Sequence, residues 1–194
     1  MSKEVCMAVV EALRRRGFEA EYAPDAGAAA EAVMAEAASA RSVGWGGSET
    51  LKEIGVRDAL AAAGKEIRDH ALSMDLFLLS ANAVTLDGRI VNIDGNGNRV
   101  SASVAGPKRV VYVIGRNKIV EGGIDEAVFR IRSKACPPNA RRLGKRTPCG
   151  VAGACPGGAG CDSPDRMCKV VAVFERRPTG MPSKAIVVDA DLGY

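Results

Sequence analysis

A chain of 194 residues, 47% hydrophobic and 26% charged, is long enough to bury one core without disulfides and reads as a single domain over 1–194. Only 4% of it is aromatic, so Val, Ile, Leu and Ala must fill that core, and a net charge of +4 is too mild to argue for nucleic acid as a partner. The start, MSKEVCMAVVEALRRRG, is too charged for a signal peptide, and no run nears the roughly 20 apolar residues of a membrane span, so a cytoplasmic protein without a membrane span is expected.

In chain order, Ser2 can cap a first helix whose buried stripe is Val5, Ala8, Val9, Ala12 and Leu13. Arg14, Arg15 and Arg16 suit its negative end, and Gly17 can stop it. FEAEY alternates as a short strand. Asp25 then caps an alanine-rich helix running to about Ala38. ARSVGWG is a second strand that enters a glycine turn, and Ser48 caps the helix after it. GVRDALAAAG is a further helix ending at Gly64, and KEIRDH a strand. MDLFLLSANAV reads as one strand buried on both faces. Asp87-Gly88 is a hairpin signal before RIVNI, and Asp94–Asn98 a second turn leading into a short helix and the strand KRVVYVIG. Asp125 caps a helix of about ten residues. A cysteine-rich basic loop, 136–168, follows. KVVAVFER and KAIVVDA close the chain, and the short turn RRPTGMP between them predicts an antiparallel pair. Strands alternating with helices predict an α/β sandwich with a mostly parallel central sheet.

Three stretches carry chemistry. The first is Gly44, Trp45, Gly46, Gly47 and Ser48 between a strand and a helix. Glycines let a ligand approach the backbone, and amides at a helix start favour an anion; a tight turn without a ligand is the plain alternative. No Gly-Lys-Ser/Thr follows, and Glu49 stands where the third glycine of a dinucleotide fingerprint belongs. Trp45, the only tryptophan, either folds onto the core or flanks the ligand; the second is expected. The next stretch holds Asn82, Asp94, Asn96 and Asn98 at the end of the long apolar run and in the turn that follows it. Sites in α/β sheets gather at such strand ends, although Asp-Gly and Asn-Gly are also ordinary turn chemistry.

The third is TPCGVAGACPGGAGCDSPDRMC. Cys149, Cys155, Cys161 and Cys168 are separated by five, five and six residues, and His70, the only histidine, is distant. In a reducing compartment these thiols favour an all-sulfur site for zinc or an iron–sulfur cluster over structural disulfides, with reversible disulfides and inert thiols as alternatives. Cys136 is a fifth ligand or a resolving thiol, and Cys6 a packed residue of the first helix. Ser163-Pro164-Asp165 opens a helical turn that delivers Cys168. From Ala127 to Gly160 no acidic residue interrupts Arg130, Arg132, Lys134, Arg141, Arg142, Lys145 and Arg146. That run is a solvated face, or a site for an anionic ligand or acidic partner.

Taken together, VGWGGSETLKEIG, SANAVTLDGRIVNIDGNGNRV, GPKRVVYVIGRNKIV, TPC with CDSPDRMC, and the ending VDADLG resemble the LUD-domain, or lactate-utilisation, family. The resemblance implies a fold like that of ribose-5-phosphate isomerases and CoA transferases, with a central sheet between helices. It also implies association with lactate-oxidising systems that contain flavin and iron–sulfur components. The expected function is organic-acid (lactate-type) oxidation or its regulation, with a small anionic ligand at the glycine turn, an acidic redox partner, and self-association into a homo-oligomer. Two alternatives accompany it: a phosphosugar isomerase or acyl-CoA transferase-like enzyme, and a non-catalytic redox or metal sensor. Asn82 stands where the isomerases place an acid, and an amide cannot take a proton from a sugar carbon. No transferase glutamate can be placed, and Pro156–Gly160 spreads the middle cysteines further than the SPDR loop of the family usually does.

Overall fold

The computed structural model describes residues 3–194. The expected Ser2 cap lies outside them. The chain runs α1 (Lys3–Arg15), β1 (Glu19–Ala23), α2 (Ala26–Glu36), β2 (Ser42–Trp45), α3 (Glu49–Glu53), α4 (Val56–Ala62), β3 (Glu66–Asp69) and β4 (Leu76–Leu79). Then come β5 (Ala83–Thr85), β6 (Ile90–Asp94), α5 (Asn98–Val104), β7 (Arg109–Gly115) and β8 (Ile119–Val120). The last part holds α6 (Ile124–Arg130), α7 (Cys136–Arg142), α8 (Pro148–Ala152), β9 (Val170–Phe174) and β10 (Ser183–Val188). No helix among the described residues is long and apolar enough to cross a membrane.

Six strands form an all-parallel sheet in the order β1-β10-β7-β4-β2-β3. Its inner strands alternate between two cores. Phe77, Leu79, Val110, Tyr112, Ile114, Ala185 and Val187 face one core, which includes Val9 and Leu13 of α1. Leu76, Leu78, Val111, Val113, Ile186 and Val188 face the other, with Ala29 and Val33 of α2 and Leu60 of α4. Apolar residues at both parities explain why these strands read as unbroken hydrophobic runs. The α/β sandwich is therefore as expected, with one addition. A second sheet, β8-β5-β6-β9, shares the α1 side and carries a third core against α6 and α7.

Several local expectations hold. Asp25 caps α2 through Ala28 N at 2.8 Å, Ser48 caps α3 through Leu51 N at 3.3 Å, and Asp87-Gly88 turns β5 back on β6. Other expectations are corrected. The run from Met74 to Val84 is not one strand: β4 belongs to the main sheet and β5 to the second. Asn82 makes the break, because Asn92 Oδ1 takes its amide at 2.8 Å and its own Oδ1 takes Ile93 N at 3.0 Å. The last two strands are not a pair either. β9 lies antiparallel to β6, while β10 lies parallel between β1 and β7. The turn between them crosses from sheet to sheet and is stitched by Arg177, which donates to the carbonyls of Gly17 and Met181.

The helix after Gly123 also differs. Gly123, not Asp125, is its N-cap residue. The helix continues through a π segment, Ile131–Ala135, into α7, so the stretch expected to be a loop from Cys136 begins as helix. Pro137 and Pro138 have no amide for the α-ladder, and the Cys136 amide reaches Ile131 O five residues back.

Gly44 lies mid-sheet with no room for a side chain. A Cβ there would stand 2.4 Å from the Phe77 ring and 2.8 Å from Ala71 O. Gly44→Ala should overpack this contact and cost about 1–3 kcal/mol in urea unfolding. An unchanged midpoint would show that the strands part there without strain.

Candidate functional site

Parallel sheets collect their sites beyond the carboxyl ends of their strands. Here the three adjacent strands β7, β4 and β2 deliver, just past their ends, Lys118, Ser80 and Thr50. All three line a cleft of about 440 Å³, within the range of small-molecule sites. Lys118 is only 4% exposed. Its Nζ donates to Thr50 Oγ1 at 2.6 Å and to Ser80 Oγ at 2.8 Å. Each hydroxyl gives its own proton to a carbonyl: Thr50 to Leu192 O at 3.2 Å, and Ser80 to Ala81 O at 3.2 Å. Both oxygens are thus left as acceptors for the amine. Among the described residues no carboxylate lies within ion-pair distance of Lys118. Burial pulls its amine down to about 7, and the charges of Arg130 and Arg99 add to this against a pull from Glu53.

The glycine turn borders the same cleft in part. Gly46, Gly47 and Ser48 line it. The Gly46 amide is bonded to Leu78 O at 2.9 Å; among the described residues no backbone carbonyl takes the Gly47 or Ser48 amide. Gly44 and Trp45 do not reach the cleft. Trp45 is 2% exposed within the core on the α2 side, with the Arg57 guanidinium 5.1 Å from its ring. The expectation that its indole flanks a ligand is therefore corrected: strand alternation turns Trp45 inward with Val43.

Asn82, Asp94, Asn96 and Asn98 all line the cleft. Asp94, 4% exposed, is engaged on both oxygens. Oδ1 accepts from Asn96 N at 3.2 Å, and Oδ2 from Arg99 N at 3.0 Å and Val100 N at 3.2 Å. Burial pushes its carboxyl up, but the Arg99 charge and the backbone amides of Val100, Gly97 and Arg99 outweigh that and hold it below the ordinary range. A carboxylate so satisfied caps α5 and is poorly placed for acid–base work. Asn98 Nδ2 meets His70 Nδ1 at 2.8 Å on the rim.

The basic run does not form one solvated face. Arg130 turns inward and donates to Asn82 O at 2.8 Å and Asn117 O at 3.0 Å. Arg142 and Lys145 line the cleft. Arg132 borders a second cavity of about 20 Å³, where Cys136, Cys149, Cys155, Cys161 and Cys168 converge. All four expected thiols are brought together, and Cys136 joins them from the start of α7. Cys136 Sγ and Cys168 Sγ are 3.2 Å apart. The Cys136 hydrogen bond lowers the Cys168 thiol, with help from Arg132 and Arg166, while the same bond and burial raise Cys136. Arg166 fixes the loop by donating to Cys161 O at 2.9 Å and Cys168 O at 3.0 Å. Arg132 Nε is buried with no hydrogen-bond partner among the described residues.

In kind, this sulfur set suits a soft ion. The cavity has room for one ion or water rather than a cluster. In arrangement it stops short: tetrahedral thiolates bonded at about 2.3 Å stand roughly 3.8 Å apart. The Cys136–Cys168 pair is closer than that, and no three thiol, imidazole or carboxylate groups among the described residues are set to hold a metal ion. The thiol cavity and the cleft share a wall, since Cys136 and Met167 line both.

Lys118, Ser80, Thr50 and Arg99 were missed by sequence reasoning. The available signal was position: a lysine three residues past β7 in GRNK, and a serine directly after LFLL.

No curated protein matches the chain. A crystal structure of a DUF162 family protein from Deinococcus radiodurans matches with a TM-score of 0.58 at 16% identity, covering 97% of this chain and 99% of that one. At that identity the likeness is one of fold. The model of the LUD domain matches residues 6–188. With that match across its central sheet, cleft and cysteine-rich segment, the chain belongs to the LUD domain family.

Proposed function

We propose that this LUD-domain protein acts in organic-acid (lactate-type) oxidation or its regulation by binding a small anionic ligand in the cleft beside Lys118. One observation carries the reading: a buried amine held by two hydroxyls, with no carboxylate within ion-pair distance among the described residues, faces a cleft large enough for a metabolite. A ligand carboxylate supplies the missing counter-charge. Lys145 adds positive charge at the rim, where Arg142 is paired with Glu49 at 3.4 Å, and Gly46 and Gly47 give a wall without side-chain bulk. Phosphosugar or acyl-transfer chemistry would have to fall on Asp94, whose oxygens are already engaged, so a binding role is favoured.

The test is calorimetry with lactate, pyruvate and inorganic phosphate. Binding an anion favours the charged amine, so it takes up a proton wherever Lys118 is neutral. Affinity should therefore be level below about 7 and fall by roughly tenfold per pH unit above it. Lys118→Met should remove both the binding and this dependence. No heat with any of the three, or an unchanged profile in Lys118→Met, would remove Lys118 from the site.

A second reading concerns the thiols, and the gathering of five sulfurs beside Arg132 and Arg166 supports it. A soft ion such as zinc, held by Cys149, Cys155, Cys161 and Cys168 with Cys136 in reserve, suits the cavity better than an iron–sulfur cluster. Bound there, such an ion would cross-link α8 to the segment that follows it. The 3.2 Å pair favours the alternative of a redox or metal sensor that uses Cys136 and Cys168 as a dithiol. An acidic redox partner would find Lys134, Arg141 and Arg146 exposed on this arm; self-association is part of the same proposal. The ion reading predicts about one zinc per chain in anaerobically purified protein, lost in Cys168→Ser, whereas the dithiol reading predicts none. Metal-free protein with fully titratable thiols would sink the ion, and a brown, sulfide-containing sample would restore the cluster.

A further inference from the structure

We infer that Lys118 is a nucleophile that forms an imine with an anionic carbonyl compound, a small 2-oxo acid, bound in the cleft. The inference rests on the proposed anion site and names the ligand class and reaction within it. The geometry of the nitrogen carries it. Thr50 and Ser80 have both turned their protons toward carbonyls, at Leu192 and Ala81, so each can only accept from Nζ. A neutral amine fills these two acceptors with its two hydrogens. Its lone pair is then left for the remaining direction, and Lys118 borders the cleft. An ammonium in the same place would have a third proton with no carboxylate to receive it among the described residues. Two adjacent strands, β4 and β2, thus supply a cradle matched to the uncharged form.

The surroundings act in the same sense. Arg130, fixed by Asn82 O and Asn117 O, and Arg99, fixed by Ile93 O at 2.8 Å, are positive neighbours held in place. Glu53 is the opposing charge, and its carboxylate is bonded to Gly193 N at 2.6 Å, on the tail that passes over Thr50. An amine held near neutrality by burial and like charges is the usual form of an imine-forming lysine.

In the reaction, the Nζ lone pair forms a bond to the carbonyl carbon of the 2-oxo acid, and the carbonyl π pair moves to oxygen. A proton passes from nitrogen to that oxygen, which gives the carbinolamine. The nitrogen pair then closes the C=N bond as the C–O bond breaks, and the departing oxygen takes the remaining nitrogen proton and leaves as water. No oxidant or reductant is consumed. Protonation of the imine restores a positive charge beside the ligand carboxylate, so the covalent and ionic contributions of Lys118 reinforce each other. A hydroxy acid has no carbonyl and cannot react, so the same cleft would distinguish the oxidised acid from the reduced one by a bond rather than by shape.

The test incubates the full chain at neutral pH with pyruvate and sodium cyanoborohydride, with lactate as the carbonyl-free control, followed by peptide mapping. Calorimetry without reductant is run in parallel. At neutral pH an ordinary lysine is uncharged in fewer than about one molecule in a thousand, so labelling of the Lys118 peptide should exceed that of any exposed lysine by on the order of a hundredfold. Lactate should give no label, and Lys118→Met should lose it. Because the map locates the adduct in the wild-type chain, the result stands even if the variant does not fold. Pyruvate that binds without label at Lys118, or label spread over exposed lysines, overturns the imine and leaves the anion site intact. Absence of both heat and label overturns the two together.

Discussion

A charged group inside a protein must be paired or must lose its charge. At Lys118 the described residues place no carboxylate within ion-pair distance, only two hydroxyl oxygens, and the character of the cleft follows from this. The amine is buried because β7 lies between β10 and β4 in the middle of a parallel sheet, and the chain leaving it must pass over the carboxyl edge. Its hydroxyl partners come from the next two strands in the order. The arrangement is thus a property of strand order, and it holds residues 50, 80 and 118 together although they lie far apart in sequence.

A second unit lies beside that centre. β5, β6, β8 and β9 make a smaller sheet, and α6 with α7 lies against it. The cleft is the space between this second unit and the edge of the main sheet. That explains the distribution of cations. Arg130 ties α6 to the break between β4 and β5, Arg142 and Lys145 face the cleft, and Arg132 and Arg166 stand beside the thiols. Charges that form one run in sequence are parted in space: Arg132 borders the thiols, Arg142 and Lys145 the cleft, and Lys134, Arg141 and Arg146 stay exposed.

Much of the frame was legible in the sequence because it is local. Asp25, Ser48 and Asp87-Gly88 act within a few residues, and helix stripes and apolar runs give the layers. What could not be read was pairing. Nothing within MDLFLLSANAV says that the chain changes sheets at Asn82; the reason is a pair of amide bonds with residues ten or eleven positions on. The short RRPTGMP turn suggested a hairpin for the same reason, since β6 and β7 compete for the flanking strands from far away. Trp45 misled because a turn residue was judged by its glycine neighbours, whereas its parity in β2 decides its direction. Lys118 carries no motif. Its burial and its two hydroxyl partners exist only after three strands are side by side.

The π segment from Ile131 to Ala135 adds one residue to a helical turn just before α7. Each residue turns an α-helix by about 100°, so this extra one sets which way every later side chain on that helix looks. Cys136 faces the thiols and the cleft together, and Asn139 and Arg142 face the cleft, in that phase alone. The two prolines that follow bar the chain from relaxing to ordinary winding, so a pair of residues without amide hydrogens acts as the key that keeps both chambers aligned along one wall.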